Sequence, residues 1–227
     1  EAKALDTEDE VGSFMSSAEM EGLGMQEKET CIDNSNDATT ENPTEAAKEN
    51  AVREPRRLTE TRLSGRTLYE GRIVRLEKDK VLLENGEESY REVVRHPGGV
   101  SVAALTEKNE VLMVRQFRYP YGKVLLECPA GKLEPGEDPF EAMKREQREE
   151  TGTAGESYIS LGEMYPTPGY CSEVIRMYAC RISGWGETDL DADEFLEVEK
   201  IPLEEAVSMV MSGRIRDGKT QVMILKL

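Results

Sequence analysis

Three glutamates, Glu146, Glu149 and Glu150, are spaced so that they could share one chemical task. Residues three and four apart lie on one helix face, so in a helix over residues 138–150 their carboxylates project together. Like charges so placed destabilise a helix by about 0.2–0.5 kcal/mol per pair. They also lie toward the C-terminal end, where the macrodipole disfavours anions. A cation on that face would resolve the conflict. Oxygen donors without histidine or cysteine suit Mg2+, with Mn2+ as an alternative; such ions retain water and bind phosphate oxygens. The competing reading is a solvated acidic face with Lys144, Arg145 and Arg148 as ion-pair partners. From the helix alone both readings stand.

Several elements must position that face. Pro129, Gly131, Pro135 and Gly136 make a tight loop before the helix. Asp138 suits the N-cap, Pro139 the first turn, Glu141 a capping box, and Gly152 the residue past the end. The opposite stripe, Phe140, Met143 and Gln147, is expected to face a sheet. Upstream, residues 72–76 and 80–83 read as short strands, with a hairpin at Asn85-Gly86 and a return over 89–95. Residues 100–105 and 111–117 read as central strands, joined by a turn over 106–110. Further strands are expected over 124–128, 158–164 and 173–182, and helices over 203–211, stopping at Gly213, and 219–225. Strands on both sides of a central helix, with helices at the end, predict a mixed sheet covered by helices.

From Gly131 the chain reads GKLEPGEDPFEAMKREQREETGT. Gly131, Glu137, Arg145, Glu146, Glu149, Glu150 and Gly152 resemble the fixed positions of the Nudix box, G-x5-E-x7-R-E-U-x-E-E-x-G-U. Gln147 and Thr153 stand where that pattern has bulky apolar residues, and a buried amide at 147 needs partners. Four runs extend the resemblance from about residue 58 to the C-terminus: REVVRHPGGVSVAAL, VRQFRYPYGKVLLECPAGKLEPGE, YPTPGYCSE and DEFLEVEKIPLEEAV. Together they are similar to the ADP-ribose pyrophosphatase branch of Nudix hydrolases.

That resemblance implies an α/β fold, an α/β/α sandwich with a mixed sheet plus N-terminal antiparallel strands. It also implies a homodimer in which the N-terminal region exchanges with a partner. By position, Glu146 and Glu150 resemble the main metal ligands, Glu149 adds or exchanges contacts, and the Ala130 carbonyl resembles a backbone ligand. Arg145 would hold and orient the box carboxylates, and Glu137 would brace the loop or the metal's outer shell. Glu194 resembles the carboxylate that serves as base, with Asp191, Asp193 and Glu197 as alternatives. Arg95 and Arg118 match substrate arginines, and Glu173 is a further carboxylate expected near the site. Tyr90 matches one of two rings that clasp the nucleobase from different subunits, while Ile73 stands where the second is expected. The implied reaction is hydrolysis of the diphosphate of ADP-ribose to AMP and ribose 5-phosphate. The alternatives are the same chemistry on an ADP- or GDP-linked hexose, or a non-catalytic ligand-sensing module.

Composition bounds these readings. The 227 residues carry 46 Asp+Glu against 29 Lys+Arg, a formal charge of −17. Such acidity opposes nucleic acid or an anionic membrane as the main partner. It leaves room for a small anionic substrate held by local arginines and a metal. No apolar run approaches the length of a membrane-spanning helix, and no signal peptide is expected. Residues 1–56 carry a net −10 and one aromatic, Phe14. They read as a disordered acidic tail, with Met15, Met20 and Met25 as possible starts. Residues 57–227 form the expected domain, with a strand region over about 57–97 and a catalytic core over about 98–227. Cys31, Cys128, Cys171 and Cys180 with one histidine, His96, do not make a zinc pattern. Scattered thiols point to a cytoplasmic setting. His96 and the apolar residues over 206–211 read as structural.

Overall fold

The computed structural model describes residues 57–190, 192 and 194–227. The acidic tail expected over 1–56 lies outside the described residues, as do Asp191 and Asp193.

Two sheets organise the domain. The first is antiparallel, in the order β1 (Thr61–Glu70), β2 (Arg75–Leu82), β3 (Glu88–Arg95). The second contains β4 (Gly99–Leu105), β5 (Glu110–Arg118), β6 (Lys123–Glu127), β7 (Ala130–Lys132), β8 (Thr153–Met164), β9 (Ile175–Trp185) and β10 (Leu196–Pro202). Its main path runs β10-β5-β4-β9-β8, with β6 paired to β5 and β7 to β4. The β4–β9 pair is parallel and the other pairs are antiparallel, so the sheet is mixed as expected. Three helices cover it: α1 (Pro139–Thr151), α2 (Leu203–Met211) and α3 (Gly218–Lys226).

β4 shows why the chain forms three layers. All seven of its residues are buried, as expected of a strand covered on both faces. Alternate side chains point to opposite faces. Val100, Val102 and Ala104 therefore join Ala142 and Met143 of α1. Ala103 and Leu105 join Ala206 and Val210 of α2 and Met223 and Ile224 of α3. Met143 is fully buried, a burial that contributes about 1.5–3 kcal/mol.

β2 runs unbroken where two short strands were expected. The charged run Glu77, Lys78, Asp79 reads as a turn, yet β3 pairs with it residue for residue. Arginines neutralise its buried carboxylates: Arg95 Nε lies 2.8 Å from Glu77 and Arg75 Nη2 also 2.8 Å from it. Arg62 Nε lies 2.9 Å from Asp79 Oδ1, but that oxygen makes no hydrogen bond, so the contact is an ion pair without aligned donation. The turn lies instead at Gly71, whose amide donates to Val74 O at 2.9 Å. β1, β7 and β10 are additions to the expected strands. Every residue of β1 is exposed. The small sheet is tied to the loop between β8 and β9 through Val94, whose amide donates to Tyr170 O at 2.8 Å and whose carbonyl accepts from Ser172 N at 2.9 Å.

Among the described residues no helix is long and apolar enough to cross a membrane.

Candidate functional site

α1 begins and ends as the sequence implies. Asp138 accepts from the amides of Phe140 and Glu141 at 2.9 and 3.1 Å. Glu141 does not close a capping box; it pairs with Lys144 at 3.0 Å. At the other end Gly152 adopts φ 65°, and a Cβ there would lie 2.5 Å from the carbonyl oxygen of Gly186. That approach lets the following loop close over the helix. The Gly186 amide donates to Gly152 O at 2.6 Å and the Asp189 amide to Glu149 O at 2.9 Å. Two carbonyls at the helix end thus find partners, and the loop is tied to α1 at Gly186 and Asp189.

The inward stripe is as predicted, and its two unusual residues complete one another. Gln147 is fully buried. Its Nε2 donates to Thr153 Oγ1 at 3.1 Å, and its Oε1 accepts from Tyr158 Oη at 3.0 Å. The Cys180 thiol lies 3.7 Å from the same oxygen. Both departures from the apolar box pattern therefore belong to one hydrogen-bonded unit. Gln147→Leu alone is expected to cost about 1–3 kcal/mol by orphaning its partners. Gln147→Leu with Thr153→Val should cost less than the sum of the two single changes, checked by urea unfolding.

The outward face gathers the predicted carboxylates around Arg145. Its Nε and Nη2 donate to Glu137 at 3.0 and 3.2 Å. Its Nη1 lies 2.9 Å from Glu146 and donates to Glu149 at 2.8 Å. Glu137 also accepts from the Glu134 amide at 3.0 Å, so it braces the loop as expected. Arg145 holds the Glu137 carboxyl below its ordinary range.

Glu150 is different. It is 2% exposed, and it accepts from the Ala130 amide at 3.0 Å. Burial pushes its carboxyl up to about 8; the Ala130 amide opposes this, while the charges of Glu146 and Glu194 add to it. Burial likewise raises the Glu146 carboxyl, against the pull of Arg145. A solvated acidic face does not look like this.

The donor set fits a hard divalent cation. Glu146, Glu149, Glu150 and the Ala130 carbonyl offer oxygen alone, and Glu150 is a buried carboxylate opposed by like charges. Among the described residues, no three acidic, histidine or cysteine side chains already converge on one point. An ion there would draw Glu146 or Glu149 from the grip of Arg145.

Gly131 gives independent support for a crowded site. A Cβ on it would fall 1.8–2.3 Å from the carboxyl group of Glu146. The obstructing atoms are the end of a side chain, so the fold can yield while the carboxylate cannot stay. Gly131→Ala is therefore expected to keep the melting temperature within about 3 °C, a shift of about 1 kcal/mol. It should lower kcat at least about tenfold, or about 1.4 kcal/mol of barrier.

The other predicted residues divide into two groups. Glu194 is half-buried, and its charge acts on Glu146 and Glu150. Arg118 donates to both oxygens of Glu127 at 2.8 Å and lies within the field of Glu150. These two belong with the α1 carboxylates. Glu197 lies on β10 opposite Arg115 and is exposed. Arg95 is engaged with Glu77 and, at 3.4 Å, Asp79. Glu173 lies 3.5 Å from His96 Nδ1. That nitrogen accepts from the Gly98 amide at 3.1 Å, so it has no proton to give Glu173, and His96 serves the loop.

Tyr90 and Ile73 are both exposed. Tyr90 pairs in register with Lys80, and Lys78 Nζ sits 5.0 Å from its ring centroid. Ile73 occupies the turn before Arg75, which is opposite Arg95. Tyr90 lies five steps along the strand from Arg95, about 16 Å, and Ile73 lies at the Arg95 end, so Tyr90 and Ile73 cannot clasp one base within a single chain.

The sequence reading passed over Glu127, Asp217 and Lys219, which form a buried charged cluster behind Arg118. Asp217 was legible as an N-cap before a helix; nothing in the local pattern marks Lys219 as buried.

Comparison with known proteins identifies the family. Residues 95–222, more than half of the chain, match the NUDIX domain. A methanol dehydrogenase activator of Bacillus methanolicus is 42% identical over 159 residues, 69% of this chain and 86% of that protein. An ADP-ribose pyrophosphatase of Bacillus subtilis is 38% identical over 165 residues, 72% of this chain and 89% of that protein. A GDP-mannose pyrophosphatase of Yersinia enterocolitica is 35% identical over 149 residues, 61% of this chain and 77% of that protein. A box helix with its full set of acidic positions, inside a domain matched over this length, places the chain in the Nudix family of hydrolases.

Proposed function

We propose that the chain hydrolyses the diphosphate of ADP-ribose, yielding AMP and ribose 5-phosphate, with Mg2+ as the working ion and Mn2+ as a substitute. The observation that carries this reading is the buried Glu150 on the same helix face as Glu146 and Glu149, with Glu194 acting on the first two. A divalent cation bound there supplies Lewis acidity toward phosphoryl oxygens and water. The residues do the rest. Glu146, Glu149, Glu150 and the Ala130 carbonyl hold the ion, and Arg145 orients the carboxylates. Glu194 accepts the proton of the attacking water, for which it must come within about 2.6–3.2 Å. Arg118 and Arg95 face the anionic substrate with the guanidinium edge that their carboxylate partners leave over, a charged donor suited to phosphate oxygens. Glu173 borders the substrate.

Tyr90 of one chain and Ile73 of another would enclose the base, which requires a homodimer. The fully exposed β1, with Leu63, Leu68 and Tyr69 uncovered, supports exchange with a second copy, because a bare apolar edge strand is otherwise a liability. The reading assigns activity to residues 57–227 and sets it in the cytoplasm; the free thiols of Cys128, Cys171 and Cys180 suit a reducing compartment. The second reading, a GDP- or ADP-linked hexose, draws on the GDP-mannose pyrophosphatase similarity and on an aliphatic residue at Ile73.

The test is a panel of ADP-ribose, GDP-mannose and UDP-glucose with Mg2+ or Mn2+, reading the phosphate products. ADP-ribose should give the highest kcat/KM; equal rates across the panel defeat the assignment. Glu194→Gln should lower kcat about 10²- to 10⁴-fold with little change in KM. Near-normal turnover in that variant moves the base elsewhere.

A further inference from the structure

Behind Arg118 lies a cluster of charges that the reaction as described does not use. Glu127, at the end of β6, is 1% exposed, and both of its oxygens accept from Arg118 at 2.8 Å. Lys219, in the first turn of α3, is 7% exposed. It donates to the second Glu127 oxygen and, at 3.0 Å, to Asp217 Oδ2. Asp217 caps α3, accepting from the Thr220 amide at 2.9 Å and the Thr220 hydroxyl at 2.6 Å. Thr220 Oγ1 in turn accepts from the Cys128 amide at 2.8 Å. Helix α3 is thereby latched to Glu127 and Cys128 on adjoining residues.

The two cations differ in what they can reach. Lys219 leaves 8% of its side chain exposed, whereas Arg118 leaves 37%. Two carboxylates and two cations balance. Lys219 supplies its charge from inside, and Arg118 is the outer member, close enough to Glu150 for that carboxylate to act on it. Without Lys219, the charges of Glu127 and Asp217 would rest on Arg118 alone.

We infer that Lys219 is a positioning residue for substrate: by occupying Glu127 from the buried side, it fixes the Arg118 fork and leaves its charge available to an incoming diphosphate. The inference rests on the reading of Arg118 as a substrate arginine. It makes α3, remote in sequence from the box helix, part of the substrate site.

The test is a double-mutant cycle on the full chain with ADP-ribose and Mg2+, following kcat and KM separately, with melting curves to establish folding. Arg118→Ala should raise KM about tenfold, roughly 1.4 kcal/mol, with kcat changed less. Lys219→Met should raise KM comparably, Lys219→Arg should recover most of the loss, and adding Lys219→Met to Arg118→Ala should change KM no further. A normal KM in Lys219→Met, or effects that multiply in the double variant, overturns the inference while leaving Arg118 as the substrate arginine. A normal KM in Arg118→Ala removes the underlying reading, and the inference with it. Should Lys219→Met fail to fold, Asp217→Asn gives the opposite sign. Asparagine caps a helix as well as aspartate, but it releases the Lys219 charge, so KM should fall about twofold; an unchanged or higher KM overturns the inference.

Discussion

Glu150→Gln is expected to lower kcat by about 10²–10³-fold, the usual effect of removing one preorganised electrostatic partner of a transition state, while making the cation-free protein more stable. The two effects share a cause. Glu150 is buried at the Ala130 amide with Glu146 and Glu194 acting on it. A buried carboxylate with so little compensation is costly. Glutamine keeps an acceptor for the Ala130 amide and carries no charge, so it should add about 1–3 kcal/mol of stability. For a domain of this size each kcal/mol is worth about 2–4 °C. A cation that binds only the folded protein stabilises it by mass action, so Mg2+ should raise the melting temperature of the natural protein more than that of the variant. Equal Mg2+ shifts in the two proteins, or normal turnover in the variant, would remove Glu150 from the metal site.

Glu127→Gln is expected to have the largest effect on stability. Its carboxylate serves Arg118 and Lys219 together, and Lys219 is itself buried. Removing one partner of a buried pair costs up to about 3–5 kcal/mol, a cost that Asp217, 3.0 Å from Lys219, offsets in part. The effect should depend on pH in one direction. Burial works against ionisation of Glu127, yet Arg118 and Lys219 outweigh it and hold the carboxyl at about 2, below its ordinary 4.5. A group whose folded pKa is depressed contributes stability above its unfolded pKa and loses it as pH falls toward the folded one. The gap between the natural protein and Glu127→Gln should therefore be full at neutral pH and above about 4.5. It should shrink as pH falls from there toward about 2. Urea midpoints of both proteins across that range measure it; a gap that stays constant to acid pH would show that packing, and not charge, holds α3 in place.

Much of this architecture was legible locally. The box helix was marked by Asp138, Pro139 and Gly152, each with a single steric or hydrogen-bonding reason to stand where it does, and all three do so. The apolar runs of β4 and β5 announced buried central strands. What escaped was decided by partners distant in sequence. β2 keeps Glu77 and Asp79 in an unbroken strand because Arg62 of β1 and Arg95 of β3 arrive from neighbouring strands and Arg75 adds its charge from the start of β2. β10 reads as an acidic loop until its register with β5 is known, where Arg115 meets Glu199 at 3.3 Å. For the site, spacing alone grouped Glu146, Glu149 and Glu150, whereas the Lys219 cluster depends on burial. Gln147 and Thr153 looked like two separate defects; only their contact reveals one unit.

The depth of Cys180 beneath the box helix, and of Cys128 beneath α2 and α3, carries a consequence for redox exposure. Burial raises the Cys180 thiol, which lies beside Gln147, to about 11, and the Cys128 thiol to about 12. Since the thiolate is the reactive form, at neutral pH only about one Cys180 side chain in 10⁴ could meet an oxidant as an anion. Peroxide and alkylating agents should reach Cys171 first among the three described cysteines. The sulfur that abuts the box helix is thus kept out of reach of oxidation by the same packing that holds the helix in register.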